Sequence, residues 1–291
     1  MKKRSYSFIG IFLTSAIFVV SMFMIHTMHT SPLFHTDGVA TSALKKIFDH
    51  LGVSISTLEQ ANAFAQKNLL RTGERWDTQS LTDVQKKMHA NAQVLMEDLR
   101  ALGMIDAVAP TKTEYEYALL MGSLKDTVSK RLAYLTHLCQ QGYAFKTIVL
   151  LGGERTLRDI EKNELPSEVL TETDMMKYLC QECTALKNHE ILVVNAPMIK
   201  KDDGTFTRPT TDSTLQYFAN IAPRNGTCLV ISNNPYVIRQ TGVATRILDQ
   251  SRFACEGAGV ALDNEDDADI VMLMDEFART LYEQYKQLKV K

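Results

Sequence analysis

The sequence has no surplus of charge of either sign. In 291 residues, 32 lysines and arginines face 34 aspartates and glutamates, leaving a net charge of -2 at pH 7. It therefore lacks the basic excess with which a general nucleic-acid binder displaces counterions from phosphates, and nucleic acid is not an expected partner. Glycine (14) and proline (7) are too sparse for a collagen-like or low-complexity chain. No G-x-x-x-x-G-K-[ST] loop, G-x-S-x-G elbow or H-E-x-x-H helix occurs, which removes the phosphate loop of the P-loop enzymes, the hydrolase elbow and the zinc-protease helix. Gly257-Ala258-Gly259 lacks the third glycine of a dinucleotide fingerprint. The acidic run from Asp263 to Asp269 fails as an EF-hand, because Ala268 stands where the turn glycine belongs and Met274 where the closing glutamate belongs. No metal site is expected, and no cofactor is named by any motif.

Cysteine is present in an odd number, five, so the thiols cannot all pair within one chain. Cys180 and Cys183 form a lone C-x-x-C late in an apparent amphipathic helix. Redox motifs of that spacing open a helix, where the N-terminal field lowers the thiol pKa, so buried free cysteines are expected instead.

What the chain does have begins at its first residues. Lys2, Lys3 and Arg4 are followed by no charged side chain until Asp37, and Phe8 to Ile25 is apolar but for Thr14, Ser15 and Ser21. As a helix that stretch would span roughly 27 Å, close to the hydrocarbon thickness of a bilayer. A single signal anchor over residues 1–30 is expected, with the basic residues holding the amino terminus in the cytoplasm and everything from about Ser31 outside the inner membrane. The alternative is secretion after signal cleavage, although no small-x-small pair stands in a convincing place between Met22 and Ser31.

Residues 36–110 read as a helical prelude. Ser56 with Glu59 and Thr82 with Gln85 have capping-box spacing, and Val84, Met88, Leu95, Leu99 and Leu102 form one apolar stripe closed by Gly103. Beyond Pro110 short apolar runs alternate with helix-length segments. Strands are expected at Tyr117 to Met121, Thr147 to Leu151, Ile191 to Asn195, Cys228 to Ser232 and Phe253 to Cys255. Helices are expected at Ser123 to Gln140, Glu172 to Ala185, Thr211 to Ala222, Val237 to Leu248 and Ala268 to Leu288, the last packing on the sheet. This grammar predicts an α/β fold, a Rossmann-like parallel sheet flanked by helices, over residues 111–291.

In such sheets ligands bind outside the carboxyl ends of the strands. Those ends carry Gly122 and Ser123, then Gly152, Gly153, Glu154 and Arg155, then Asn195, then Ser232, Asn233 and Asn234. Glycine admits a close backbone approach, and Arg155, Arg208 and Arg239 are candidate bidentate partners for phosphate or carboxylate. Taken singly each has a structural explanation: tight turns for the glycines, helix caps for Thr171, Thr210 and Thr211, a dipole partner for Glu172. Their convergence on one rim marks it as a candidate site for a small anionic ligand. No histidine falls on the rim, which leaves Glu172 as the candidate acid or base, with Arg155 and Arg239 stabilising charge.

The order ALLMGS (Ala118 to Ser123), a helix bearing Arg131, IVLLGGER (Ile148 to Arg155), Thr171-Glu172, Thr210 to Thr214 and ISNNPYVIRQ (Ile231 to Gln240) resembles the SanA, YdcF and ElyC-like envelope proteins, a domain family of unknown function. The resemblance covers about Glu114 to Leu248. It implies a Rossmann-like domain behind one or two amino-terminal spans and a part in cell-envelope maintenance. The family's polar positions map to Gly122, Gly152, Gly153, Glu172, Thr210, Thr214, Ser232 and Arg239. Where many relatives have a histidine three residues before the arginine, this chain has Tyr236. A nucleotide or S-adenosylmethionine ligand is a variant of the same reading. A non-enzymatic scaffold that docks through the helical prelude is the alternative.

Overall fold

A computed structural model describes residues 33, 40–71, 82–248, 252–263 and 268–290. The expected span from Phe8 to Ile25 lies outside the described residues. Among those described, no helix is long and apolar enough to cross a membrane.

Four short helices come first: α1 (Ser42–His50), α2 (Leu58–Asn68), α3 (Asp83–Ala90) and α4 (Ala92–Ala101). The capping box of α3 is Thr82 with Gln85, as the spacing predicts. That of α2 lies one residue beyond the expected one, at Thr57 with Gln60, because the Gln60 carboxamide oxygen accepts from the backbone of both Ser56 and Thr57. The expected continuous stripe from Val84 to Leu102 is broken at Asn91, whose side-chain amide donates to the carbonyls of His50 and Lys87 and so ends α3. Gly103 closes α4 at φ 79°, with its own N–H on Arg100 and that of Met104 on Leu99, the paired bonds of a Schellman cap.

The α/β part runs β1 (Glu114–Met121), α5 (Lys125–Gln140), β2 (Ala144–Gly153), α6 (Asp159–Lys162), α7 (Glu172–Glu182), β3 (Glu190–Ala196), a small hairpin of β4 (Ile199–Lys200) and β5 (Phe206–Thr207), α8 (Thr211–Ile221), β6 (Gly226–Asn233), α9 (Val237–Ile247), β7 (Phe253–Val260) and α10 (Ile270–Val290). The main sheet has the order β3-β2-β1-β6-β7 and every pair in it is parallel. All five strands and five helices of the α/β reading are present, most strands a few residues longer at one or both ends. They were legible because a parallel strand covered on both faces must be apolar almost without interruption. Along β1 the faces alternate: Ala118 and Leu120 pack with Leu132, Leu135, Met175 and Met176 of α5 and α7, whereas Tyr117 and Leu119 pack with Leu215, Phe218, Val243 and Ala244 of α8 and α9.

The chain winds outward from β1 through β2 to β3, then returns to the other side of β1 as β6. The two halves of the sheet therefore diverge between β1 and β6, the point at which the crossover helices leave on opposite faces and where ligands bind in open α/β sheets. One expectation fails here. The last helix does not join the sheet core: Leu273, Met274, Phe277, Ala278 and Leu281 of α10 are buried with Leu44, Phe48, Ala61, Leu95 and Leu99 of the four amino-terminal helices, and α10 also leans on α9. The apolar stripe of α10 fits either neighbour, and both sheet faces are already covered by α5, α7, α8 and α9.

Candidate functional site

At the crevice between β1 and β6 the side chain of Arg131 spans the gap from α5. Its Nε donates to Asn233 Oδ1 at 2.9 Å, and its Nη1 donates to the carbonyls of Met121 at 2.8 Å and Gly122 at 3.0 Å. The residue is 1% exposed. Among the described residues Nη2 makes no hydrogen bond, and no carboxylate lies within ion-pairing distance. Burial consequently pulls the guanidinium down to about 10, against the attraction of Tyr236, Glu172 and Glu276 and with the repulsion of Arg239. A guanidinium taken out of water and bonded only to neutral acceptors is expensive to keep charged, and an anion supplied from outside would remove that cost.

Beside it sits a linked set of charges from the β1–β2 half. Arg155 is held by Glu161 through two bonds, at 2.7 Å and 2.9 Å, and reaches the Ser123 carbonyl at 3.3 Å. The same guanidinium lies 3.6 Å from Glu172 Oε1. Glu172 opens α7, whose cap is the Thr171 hydroxyl boxed with Asp174. Burial raises the Glu172 carboxyl above its ordinary value, with Glu161 adding to the shift and Arg155 and Arg208 opposing it. Glu161 itself is lowered despite its burial, since Arg155 and the Arg158 amide bond to its charged form. The two neighbouring carboxyls are thus pushed in opposite directions, Glu161 downward and Glu172 upward.

The glycines at the strand ends are filled by protein rather than open. A methyl on Gly122 would meet the Leu151 carbonyl at 2.7 Å and Glu172 Oε1 at 3.0 Å; on Gly152 it would meet Thr173 Oγ1 at 2.6 Å; on Gly153 it would meet Pro209 Cγ at 2.3 Å. Their absent side chains let the first turn of α7 and the loop before α8 close onto the sheet. Thr173 completes that closure with bonds to the Gly153 carbonyl and Asn195 Oδ1.

Gly122, Ser123, Arg155, Glu172 and Asn233 are thereby gathered around the crevice. The other expected residues have local duties. Thr210 caps α8 with Ser213, and the Thr214 hydroxyl donates to the Thr211 carbonyl within the same helix. Ser232 is buried against Gln240 of α9. Asn234 donates to the carbonyls of Gly103 and Asp106, fastening the end of β6 to the loop after α4. Arg239 pairs with Glu276 of α10, and both lie near enough to Arg131 to act on its charge. Of the three arginines expected on the rim, Arg208 alone is exposed and makes no hydrogen bond or ion pair with a described residue, while still attracting Glu172.

Arg131 is the residue missed as a site group, and the sequence did carry a signal for it. It occupies the apolar stripe of α5 between Val128 and Leu135, where a cation is out of place. Among the described residues no cluster of three or more histidine, cysteine or carboxylate side chains is arranged for a metal. No protein-family model matches the chain, and no curated protein matches it.

Proposed function

We propose that this protein is a membrane-anchored member of the SanA, YdcF and ElyC-like group that binds an anionic, phosphorylated, envelope-related ligand in the crevice between the carboxyl ends of β1 and β6. The observation that carries the reading is Arg131, buried at the point where the sheet reverses its winding and lacking any carboxylate partner. Phosphate oxygens aimed at Nη2 would supply the missing charge, and Arg208 would approach from the exposed side. If the bound ligand is turned over, Glu172 is the acid–base group, because its raised pKa lets it hold a proton closer to neutrality than an ordinary carboxylate. The anchor rests on the apolar stretch from Phe8 to Ile25 behind Lys2, Lys3 and Arg4, and the same residues orient the carboxyl-terminal region outward.

The ligand reading is tested on the full-length protein in detergent by following its thermal midpoint with inorganic phosphate, sugar phosphates, nucleoside diphosphates and prenyl pyrophosphates. One phosphorylated class should stabilise the fold, by about 2.7 kcal/mol at a hundredfold excess over its Kd. Arg131→Met should lose the effect and Arg208→Ala should reduce it. A midpoint indifferent to all four probes sinks the reading. Topology is tested with alkaline phosphatase fused after Lys291: activity is expected, and an inactive fusion beside an active cytoplasmic reporter would reverse the orientation.

A further inference from the structure

Cys228 and Cys255 lie on β6 and β7 as direct register partners in the parallel ladder. Their side chains therefore point to the same face of the sheet, the one covered by α8 and α9. Neighbouring strands are about 4.8 Å apart, inside the range of about 4.4–6.8 Å that Cα atoms take across a disulfide. Both are thiols in the structure, and they are close enough that each acts on the other's ionisation. They differ in access: Cys228 is fully buried, whereas Cys255 is half-buried on the edge strand.

We propose that Cys228 and Cys255 are a reversible thiol–disulfide pair in which Cys255 is the attacking sulfur and Cys228 the resolving one. Cys255 is the sulfur that an outside disulfide can reach, and the neighbouring Cys228 holds its thiol below the ordinary value. With a disulfide donor such as oxidised glutathione, the Cys255 thiolate attacks one sulfur, the glutathione S–S bond breaks, and a glutathione thiolate leaves. Cys228 then gives its proton to that thiolate and attacks the Cys255 sulfur, expelling the second glutathione. Two protein thiols and one glutathione disulfide become one protein disulfide and two glutathione thiols. A bridge between in-register parallel strands is near the short limit for Cα separation, which makes it readily reducible.

The other three cysteines lack this arrangement. Burial pushes Cys180 up to about 11 and raises Cys183 and Cys139 as well. The C-x-x-C that stands out in the sequence is thus the less reactive pair, and the members of the reactive one are separated along the chain by helix α9. The inference is independent of the anionic-ligand reading.

The test is thiol mapping of the full-length protein after incubation with oxidised glutathione, denaturation, alkylation and peptide mass analysis. The wild type should lose two of its five thiols, and the peptides carrying Cys228 and Cys255 should be joined. A mild dithiol should restore all five. Cys228→Ser should stop at a single glutathione adduct on Cys255, and Cys255→Ser should leave Cys228 unmodified. Retention of five free thiols, a bridge between Cys180 and Cys183 instead, or an adduct on Cys228 in Cys255→Ser would each overturn the proposal. The wild-type map decides the question even where a serine variant fails to fold.

Discussion

Two regions of this molecule bury arginines, and they do so in opposite ways. Along the seam between α9 and α10, Arg239 meets Glu276 and Arg246 meets Glu283, two carboxylates no more than 3% exposed, and Arg246 also reaches Asp212 of α8. At the β1–β6 crevice Arg131 is buried more deeply and meets only two carbonyls and an amide. The seam is closed electrostatically within the chain and holds two helices in register. At the crevice the cation has no carboxylate in contact among the described residues and feels Glu172 and Glu276 only from farther away. A fold has no reason to keep a cation in that condition for stability alone, since a well-packed apolar side chain of like volume costs less.

The sharpest way to break this comparison is to remove an arginine from each region. Arg246→Met leaves the buried Glu283 with Lys286 as its one cation among the described residues and should cost about 3 kcal/mol in urea unfolding. Arg131→Met should cost about 1–2 kcal/mol, because the lost hydrogen bonds are offset by the removal of an unpaired buried charge. A larger loss at Arg131 than at Arg246 would show that the crevice arginine is a structural staple.

Glu172→Gln probes the charge beside the crevice. The folded carboxyl titrates above its unfolded value, so the charged form is the one that folding disfavours. That cost is absent below the unfolded value and sets in as pH rises through the folded one. Glu172→Gln should therefore match the wild type near pH 4 and exceed it by about 1 kcal/mol near pH 8. An equal or lower stability at pH 8 would mean that the attraction of Arg155 outweighs burial. Arg208→Ala should have the smallest effect on the fold, within about 0.5 kcal/mol, as expected for an exposed side chain. Its midpoint without ligand should equal that of the wild type while the shift with the phosphorylated probe is reduced; an unaltered shift would confine ligand contact to the crevice.

The strands and helices of the sheet were legible from residue types because each is a local statement: an uninterrupted apolar run, a cap, a stripe. The same holds for Thr82 with Gln85 and for Gly103. The helix break at Asn91 was not legible, since it depends on the carbonyl of His50, some forty residues earlier. The glycines at the strand ends are expected to let a ligand approach the backbone, and what comes close in the structure is the chain itself, Glu172 beside Gly122, Thr173 on Gly152 and Pro209 on Gly153. Residue type records that space is needed and is silent about who fills it.

The sequence by itself determined the layered α/β architecture, because burial on two faces and helix periodicity are written residue by residue. It also determined that polar groups gather where the strands end. Only the tertiary structure decided which of those groups are already satisfied. Arg155 and Arg239 read alike along the chain, yet one is held by Glu161 six residues away and the other by Glu276 from the last helix. Arg131, set in an apolar stripe, proved to be the one buried cation at the crevice with no carboxylate within reach among the described residues. Pairing of charges is a property of distances in space, and those are set by how α10 and the two halves of the sheet pack, which no local pattern encodes.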